Sequence, residues 1–203
     1  MIAIIDYRAG NLRSVERALK HLGLPCAITA NASDILGAER VIFPGVGAAG
    51  KAMETIRELK IDITISEVIS RGIPFLGICL GTQIIFESSE EDTATCLGII
   101  PGTVRKFPDM GEKIPHMGWN TIVRTKDHPL LYGIESDAWF YFVHSYYPDP
   151  AEEQYVVAQT TYGIEFASAI SRQNVFATQF HPEKSGHPGL KILENFSKWN
   201  GKV

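Results

Sequence analysis

One cysteine stands in a setting that is typical of an enzymatic nucleophile. Cys79 lies between two glycines in Gly77-Ile78-Cys79-Leu80-Gly81, after an apolar run that predicts a strand and before a stretch that predicts a helix. A tight turn from strand to helix presents its central side chain outward, and glycines leave room for it. A helix N-terminus at this point would also favour the thiolate. A lone cysteine is often only a small buried hydrophobe, but the flanking glycines favour the nucleophile.

A thiolate nucleophile needs a base, and the base needs a group that orients it. His181 lies in Gln179-Phe180-His181-Pro182-Glu183 directly after a predicted strand, so the carboxylate of Glu183 is within plausible reach of the imidazole. His144 and His116 are competing candidates for the base. Cys79, His181 and Glu183 lack the paired spacings of zinc ligands, and we predict neither a metal nor another cofactor.

The elements that would position these residues alternate between strand and helix in the first half of the chain. Continuous apolar runs predict strands at 2–5, 26–29, 41–43 and 74–78. Helical spacing and caps predict helices at 11–22, 33–36, 48–59, 64–70 and 80–86. This order predicts an α/β fold with a doubly wound, mostly parallel sheet, whose ligands bind at the carboxyl ends of the strands.

The second half is rich in short β-branched and aromatic runs. They predict an added antiparallel portion with strands at 98–100, 119–123, 139–143, 155–158, 167–170 and 175–178. A last helix is expected at about 189–199. Because no linker, repeat or low-complexity tract separates the halves, we expect residues 1–203 to form a single domain with one core.

Composition excludes several classes of protein. The 203 residues are 45% hydrophobic and 21% charged, which is average for a globular protein and poor for disorder or a coiled coil. A net charge of −4 argues against a nucleic-acid partner. No apolar run approaches the ~20 residues of a membrane span, and the N-terminus has no signal-peptide pattern. Three widely spaced cysteines make no disulfide framework, so we expect a cytoplasmic protein without membrane contact.

The motifs, their order and their separations resemble the class I, triad-type glutamine amidotransferases nearly end to end. The segments that carry this resemblance are Pro44-Gly45-Val46-Gly47, Gly77 to Gln83, and Gln179 to Glu183. Within the class, three further segments are similar to the glutaminase subunits of imidazole glycerol phosphate synthases, which serve histidine biosynthesis. They are Asp6 to Leu12, Pro115 to Asn120, and Phe142 to Tyr146.

The resemblance implies a role for each motif residue. Cys79 would attack the side-chain amide of glutamine, His181 would transfer protons, and Glu183 would orient His181. The backbone N–H of Leu80 would stabilise the oxyanion, together with a donor from the glycine-rich segment around Val46 or Gly47. That segment can change its peptide orientation cheaply, which suggests that it gates activity.

The resemblance also implies contacts to the substrate and to a partner. Substrate contacts would come from Gln83, Glu91, Ser145 and Tyr146. The Glu91 assignment competes with a plain solvated role, because Glu91 lies in a charged run. Docking to a cyclase subunit with a (β/α)8 barrel, as a heterodimer that passes ammonia through a tunnel, would use Asn11, Met117, Trp119 and Tyr141.

Three alternatives stay open on sequence. The chain could be the glutaminase subunit of another synthase, in the anthranilate, pyridoxal phosphate or purine pathway. It could be a regulatory module with a dead site, although Cys79, His181 and Glu183 are all present. It could also be a thiol peptidase or γ-glutamyl hydrolase, which would need no docking segments.

Overall fold

A computed structural model describes residues 1–8, 11–109 and 111–202. Within these ranges the strands are β1 (Ile2–Ile5), β2 (Cys26–Thr29), β3 (Arg40–Gly45), β4 (Phe75–Cys79), β5 (Ser88–Ser89), β6 (Ala94–Thr95), β7 (Gly102–Lys106), β8 (His116–Thr121), β9 (Val123–Arg124), β10 (Trp139–His144), β11 (Tyr146–Pro150), β12 (Val156–Tyr162), β13 (Ile164–Arg172) and β14 (Val175–Thr178). The α-helices are α1 (Leu12–His21), α2 (Ala32–Leu36), α3 (Ala49–Glu58), α4 (Ile61–Ser70), α5 (Leu80–Gln83) and α6 (Gly186–Lys198).

The main sheet has eight strands in the order β2-β1-β3-β4-β14-β13-β12-β9. The neighbours from β2 to β14 run parallel, and the remaining neighbours run antiparallel. A mostly parallel sheet with an antiparallel second half is therefore confirmed. Because the parallel strands are covered on both faces, their sequences are continuous apolar runs rather than alternating ones.

Successive residues of the central strands enter two different core clusters, one on each face of the sheet. Ala3 and Ile5 pack with the inner sides of α2, α3 and α4. Ile2 and Ile4 pack with α1 and α6. Helices on both faces make the sheet doubly wound, as the alternation of strands and helices predicts. No α-helix in the described part of the chain combines the length and the hydrophobicity that a membrane span needs.

Two smaller sheets use strands that lie after residue 87. β8 pairs with β10, and β11-β7-β5-β6 form a four-stranded sheet. The strands predicted at 119–123 and 139–143 overlap β8 and β10, although residue 123 already belongs to β9 of the main sheet. The strands β5, β6, β7 and β11 lie outside the predicted segments, because each is short or rich in polar residues and proline.

Two predicted elements differ from the structure for a common reason. The predicted strand at 98–100 is a loop, and the predicted helix at 80–86 ends at Gln83. The N–H groups of Leu97 and Gly98 donate to the carbonyls of Ile84 and Phe86, at 2.9 and 2.7 Å. The N–H groups of residues 99 and 100 both donate to the Ile85 carbonyl. These bonds use the acceptors of one segment and the donors of the other, so neither extends as regular structure.

Candidate active site

Cys79 lies at the sharp junction between β4 and α5, at the carboxyl edge of the parallel sheet. Its backbone has φ +54° and ψ −104°, a conformation that is rare for a residue with a side chain. The turn depends on glycines two residues before and two residues after the cysteine. A Cβ atom at Gly81 would lie 2.0 Å from the Phe43 carbonyl oxygen, and one at Gly77 would lie 2.7 Å from the Gly81 carbonyl oxygen. The close approach of β3, β4 and α5 therefore requires both glycines.

His181 follows β14, the parallel neighbour of β4, and its ring is almost completely buried. Its Nδ1 donates to Glu183 Oε1 at 2.7 Å, so the two-residue spacing does bring carboxylate and imidazole together. Its backbone N–H donates to the Tyr141 carbonyl at 2.9 Å, which ties this loop to β10. The hydroxyl of Ser185 donates to the His181 carbonyl and accepts from the Tyr141 N–H. The ring is thus fixed by its own loop and by β10.

The protonated form of His181 is favoured in this site. Burial lowers the pKa of His181, but the neighbouring Cys79 sulfur and the Glu183 carboxylate outweigh burial and raise that pKa to about 10. Nε2 is buried and has no hydrogen-bond partner among the described residues. This nitrogen is therefore free to take a proton from the thiol or to give one to a leaving group, and such contacts often tighten only with substrate bound.

A cavity of about 310 Å³ opens beside the cysteine. Its lining combines the end of β3, the turn at Cys79 between β4 and α5, which we call the elbow, and the junction of β10 with β11. The lining residues are Val46, Gly47, Cys79, Leu80, Gln83, Glu91, Pro115, Val143, His144, Ser145 and Tyr146. Every residue that the sequence assigned to the oxyanion site or to substrate binding lies in this lining, and the volume is on the order of that of small-molecule sites.

Two candidates for substrate binding in the cavity, the Gln83 carboxamide and the Glu91 carboxylate, also make hydrogen bonds within the protein. Gln83 is buried, and its Nε2 donates to the Tyr146 carbonyl at 3.1 Å. Glu91 Oε2 accepts from the Ala49 N–H at 2.7 Å and so caps the first turn of α3. Burial and the nearby Asp92 raise the pKa of Glu91, although the bond from Ala49 opposes this. Glu91 is thus a partly buried carboxylate with a structural bond, rather than part of a solvated face.

The glycine-rich segment after β3 is held from behind by a buried tyrosine. The Tyr7 hydroxyl donates to the Val46 carbonyl at 3.4 Å, and the Tyr7 ring stacks on Phe43 with centroids 4.8 Å apart. Burial raises the pKa of Tyr7 to about 12, so this hydroxyl keeps its proton. Gly47 has φ +108°, which favours glycine, and its missing Cβ faces open space. Among the described residues the Val46–Gly47 peptide is held by this one long hydrogen bond, and the space beside the Gly47 Cα is open.

His144 and His116, the competing bases, are bonded to each other rather than to the cysteine. His116 Nδ1 and His144 Nε2 lie 3.0 Å apart, and His144 Nδ1 donates to the Tyr146 carbonyl at 2.8 Å. Burial lowers the pKa of His144 to about 3 and that of His116 to about 4, so both rings are neutral. His144 lines the cavity, but its nitrogens are occupied, and the base candidate that remains is His181.

Two contacts at the site have no counterpart in the sequence interpretation. Asn11 Nδ2 donates to Glu183 Oε1 at 2.7 Å, so the residue predicted for docking has its amide on the triad carboxylate. Gln179 Nε2 lies 3.6 Å from Cys79 Sγ. Gln179 stands in the same motif as His181, which was the available signal. Asn11 belongs to the segment Asp6 to Leu12. Two residues of that segment, Ala9 and Gly10, lie outside the described residues.

The remaining docking candidates share one face of the β8–β10 sheet. Met117 and Trp119 are 62% and 52% exposed, and the Trp119 ring packs edge-on against Tyr141 at 6.0 Å. Trp139 adds a third large exposed side chain on this sheet. The Lys184 ammonium lies 5.7 Å from the Tyr141 ring centroid. We call Met117, Trp119, Trp139 and Tyr141 the aromatic face; contiguous exposed apolar surface of this kind marks interaction sites.

The chain is similar to known proteins over almost its whole length. The family model described as "Glutamine amidotransferase class-I" matches residues 3–199. The imidazole glycerol phosphate synthase subunit HisH of Desulfovibrio desulfuricans is 51% identical over 206 residues, covering 98% of this chain and 94% of the relative. The protein of the same name from Methanocaldococcus jannaschii is 54% identical over 197 residues, covering 97% and 98%.

Solved structures with the same fold include a glutamine amidotransferase with a TM-score of 0.75 at 19% identity, covering 97% of this chain and all of that one. The structure of PurLQS from Thermotoga maritima has a TM-score of 0.77 at 19% identity, with 97% of both chains covered. These likenesses concern the fold alone. The matched family model and the half-identical, full-length relatives show that this chain belongs to the class-I glutamine amidotransferases.

Proposed function

We propose that this chain is the glutaminase subunit of an imidazole glycerol phosphate synthase. The observation that carries the proposal is the elbow cysteine, with a buried His181–Glu183 pair behind it, at a cavity in a chain half-identical to relatives of that name. The reaction is hydrolysis of the glutamine side-chain amide to glutamate and ammonia. The ammonia then serves synthesis of imidazole glycerol phosphate and an aminoimidazole carboxamide nucleotide in histidine biosynthesis.

Cys79 is the nucleophile in this proposal. Its sulfur attacks the side-chain amide carbon of glutamine, and His181 then gives a proton to the departing ammonia, leaving a γ-glutamyl thioester. Water, deprotonated by His181, attacks the thioester and releases glutamate. The raised pKa of His181 suits the first step, because the imidazolium is the acid that ammonia needs as it leaves.

The oxyanion of each tetrahedral intermediate requires donors that are already in place. The backbone N–H of Leu80, directly after the nucleophile, is one donor, and an N–H from Val46 or Gly47 is the second. We propose that this second donor gates activity, since the Val46–Gly47 peptide is held by one long bond from Tyr7. Gln83, Glu91 and the backbone of Ser145 and Tyr146 hold the α-amino and α-carboxylate groups of the substrate.

We propose that a cyclase subunit with a (β/α)8 barrel is the partner. Free ammonia is mostly ammonium at neutral pH and a poor nucleophile, so a glutaminase that serves a synthase should release it inside a complex. Met117, Trp119 and Tyr141 are proposed as the core of that interface, because aromatic residues and methionine are enriched there. Asn11 is proposed to link the interface region to Glu183.

Two further features belong to the proposal. Residues 1–203 form a single type 1 glutamine amidotransferase domain, since both core clusters draw side chains from the first and second halves of the chain. The protein works in the cytoplasm, because its three cysteines are free thiols, which persist best in a reducing compartment.

The experiment is a comparison of glutaminase activity with and without the cyclase subunit of the same organism. Glutamate release should be slow for the chain alone and rise by orders of magnitude with the cyclase and its nucleotide ligand. A Cys79→Ala variant in the same complex should lose glutamine-dependent synthesis and keep ammonia-dependent synthesis. Equal glutamate release alone and in the complex would refute gating, and wild-type complex without glutamine-dependent synthesis would refute the function.

A further inference from the structure

Gln179 occupies the inner wall of the catalytic site and has no contact with solvent. It follows the last residue of β14, its side chain is completely buried, and its backbone N–H donates to the Ser168 carbonyl at 2.9 Å. Both ends of its carboxamide are used. Nε2 lies 3.6 Å from Cys79 Sγ, and Oε1 accepts from Gln83 Nε2 at 3.1 Å.

The neighbours of Gln179 determine which end of its carboxamide carries the oxygen and which carries the NH2 group. A backbone carbonyl can only accept, so the Tyr146 carbonyl requires that Gln83 present its NH2 group to it. The same NH2 group faces Gln179, which must therefore turn its oxygen toward Gln83 and its NH2 group toward Cys79. His144 Nδ1 donates to the same Tyr146 carbonyl and helps to fix the start of this chain of bonds.

The Cys79 sulfur lies near both a donor and an acceptor. The Val143 carbonyl lies 3.9 Å from Cys79 Sγ and can accept only from the protonated thiol. The Gln179 NH2 group can donate to sulfur and is strengthened when the sulfur is negatively charged. Because α5 is a helix of a single turn, its dipole gives the thiolate little support, and a directed side-chain donor has more to contribute.

We propose that Gln179 is a further catalytic residue, which holds the Cys79 thiolate through its side-chain NH2 group and is itself oriented by Gln83. The inference rests on the proposed role of Cys79 as the nucleophile. In this inference Gln179 stabilises the Cys79 thiolate, as Glu183 stabilises protonated His181. Loss of the donor leaves the Val143 carbonyl facing the sulfur, which favours the unreactive thiol.

The test is the alkylation of Cys79 by iodoacetamide, followed from about pH 5 to about pH 10 by mass spectrometry of the Cys79 peptide. In this reaction the thiolate forms a sulfur–carbon bond as the carbon–iodine bond breaks and iodide leaves. Gln179→Met keeps the size of the side chain and removes the donor. We expect alkylation about tenfold slower near neutral pH and a reaction midpoint about one pH unit higher.

Gln159→Met is the matched control, since it makes the same change on β12, away from the cavity, and should leave rate and midpoint unchanged. Folded Gln179→Met with the wild-type midpoint would overturn the proposal, whether or not the rate falls, because a packing defect slows access without moving the midpoint. If Gln179→Met does not fold, Gln179→Asn decides, since its shorter side chain cannot reach both Cys79 and Gln83. Glutamine hydrolysis by the wild-type complex is scored separately, so failure of the proposed function is distinguishable from failure of this inference.

Discussion

Replacement of Glu183 by glutamine tests the triad without changing the shape of the site. The Glu183 side chain is completely buried, and its Oε1 accepts from both His181 Nδ1 and Asn11 Nδ2 at 2.7 Å. Oε2 is buried without a partner in the described part of the chain. In Glu183→Gln the oxygen can keep both donors, while the new NH2 group takes the place of Oε2 and finds no acceptor there.

The magnitude follows from what changes at His181. The bond from Nδ1 goes from a charged acceptor to a neutral one, and a hydrogen bond to a charged group contributes roughly 1.5–3 kcal/mol against roughly 1 kcal/mol for a neutral one. The difference, together with the unpaired buried NH2 group, should lower kcat for glutamine hydrolysis by about tenfold to a hundredfold. The pKa of His181 is raised to about 10, partly by Glu183, so the neutral variant should lose its imidazolium at a lower pH.

The assay is glutamate release by the complex with cyclase across a pH series, with ammonia-dependent synthesis as the internal control. The loss should fall on kcat, and the alkaline limb of the profile should move to lower pH. Glu165→Gln is the matched control, because it neutralises an exposed carboxylate on β13. Glu183→Gln with kcat within about twofold of wild type, or with an unmoved alkaline limb, would refute the reasoning.

Three other predictions concern the nucleophile, the aromatic face and the elbow. Cys79→Ala should abolish glutamate release in the complex while leaving ammonia-dependent synthesis intact; loss of both would contradict the role given to the sulfur. Trp119→Ala should raise the Kd for the cyclase at least about fivefold in calorimetry, because large aromatic residues dominate interfaces, whereas Val123→Ala, an exposed apolar change on β9, should not; equal effects would contradict the docking site. Gly45→Ala should lower the free energy of unfolding by about 1–3 kcal/mol in urea titrations, because its Cβ would lie 2.8 Å from atoms of two neighbouring side chains, and an unchanged midpoint would contradict the packing argument.

The parallel half of the fold could be predicted from sequence because its strands are covered on both faces. Runs such as Ile2 to Ile5 are apolar throughout, and only a strand buried on both sides requires that. The turn at Cys79 could also be predicted from sequence, because glycines at 77 and 81 indicate positions where backbones approach too closely for a Cβ atom. The small sheet of β5, β6, β7 and β11 could not be read, because its pairing joins short polar strands that are distant in sequence and carry no apolar period.

The grouping of the cavity residues could be predicted from the fold, but their individual hydrogen bonds could not. Parallel strands deliver their carboxyl ends to one edge, so Val46 and Cys79 had to lie near each other. The bonds of Glu91 to the start of α3 and of Asn11 to Glu183 depend on loops that meet only in the folded chain. The contact between His116 and His144 could not be predicted either. The two residues lie on different strands, and only the antiparallel register, with residue 144 opposite 116, brings their rings together.

One strand, β10, carries part of the aromatic face and also reaches the proposed catalytic site. Side chains alternate along β10, so Trp139 and Tyr141 belong to the aromatic face while Phe140 and Phe142 are buried in the core. The backbone of the same strand reaches the triad, since the Tyr141 carbonyl accepts from the His181 N–H. The Val143 carbonyl, two residues on, faces Cys79 Sγ. If the proposed partner contacts Tyr141, a movement of β10 should shift His181 and the Val143 carbonyl near Cys79 together, because both contacts are made by the backbone of this strand.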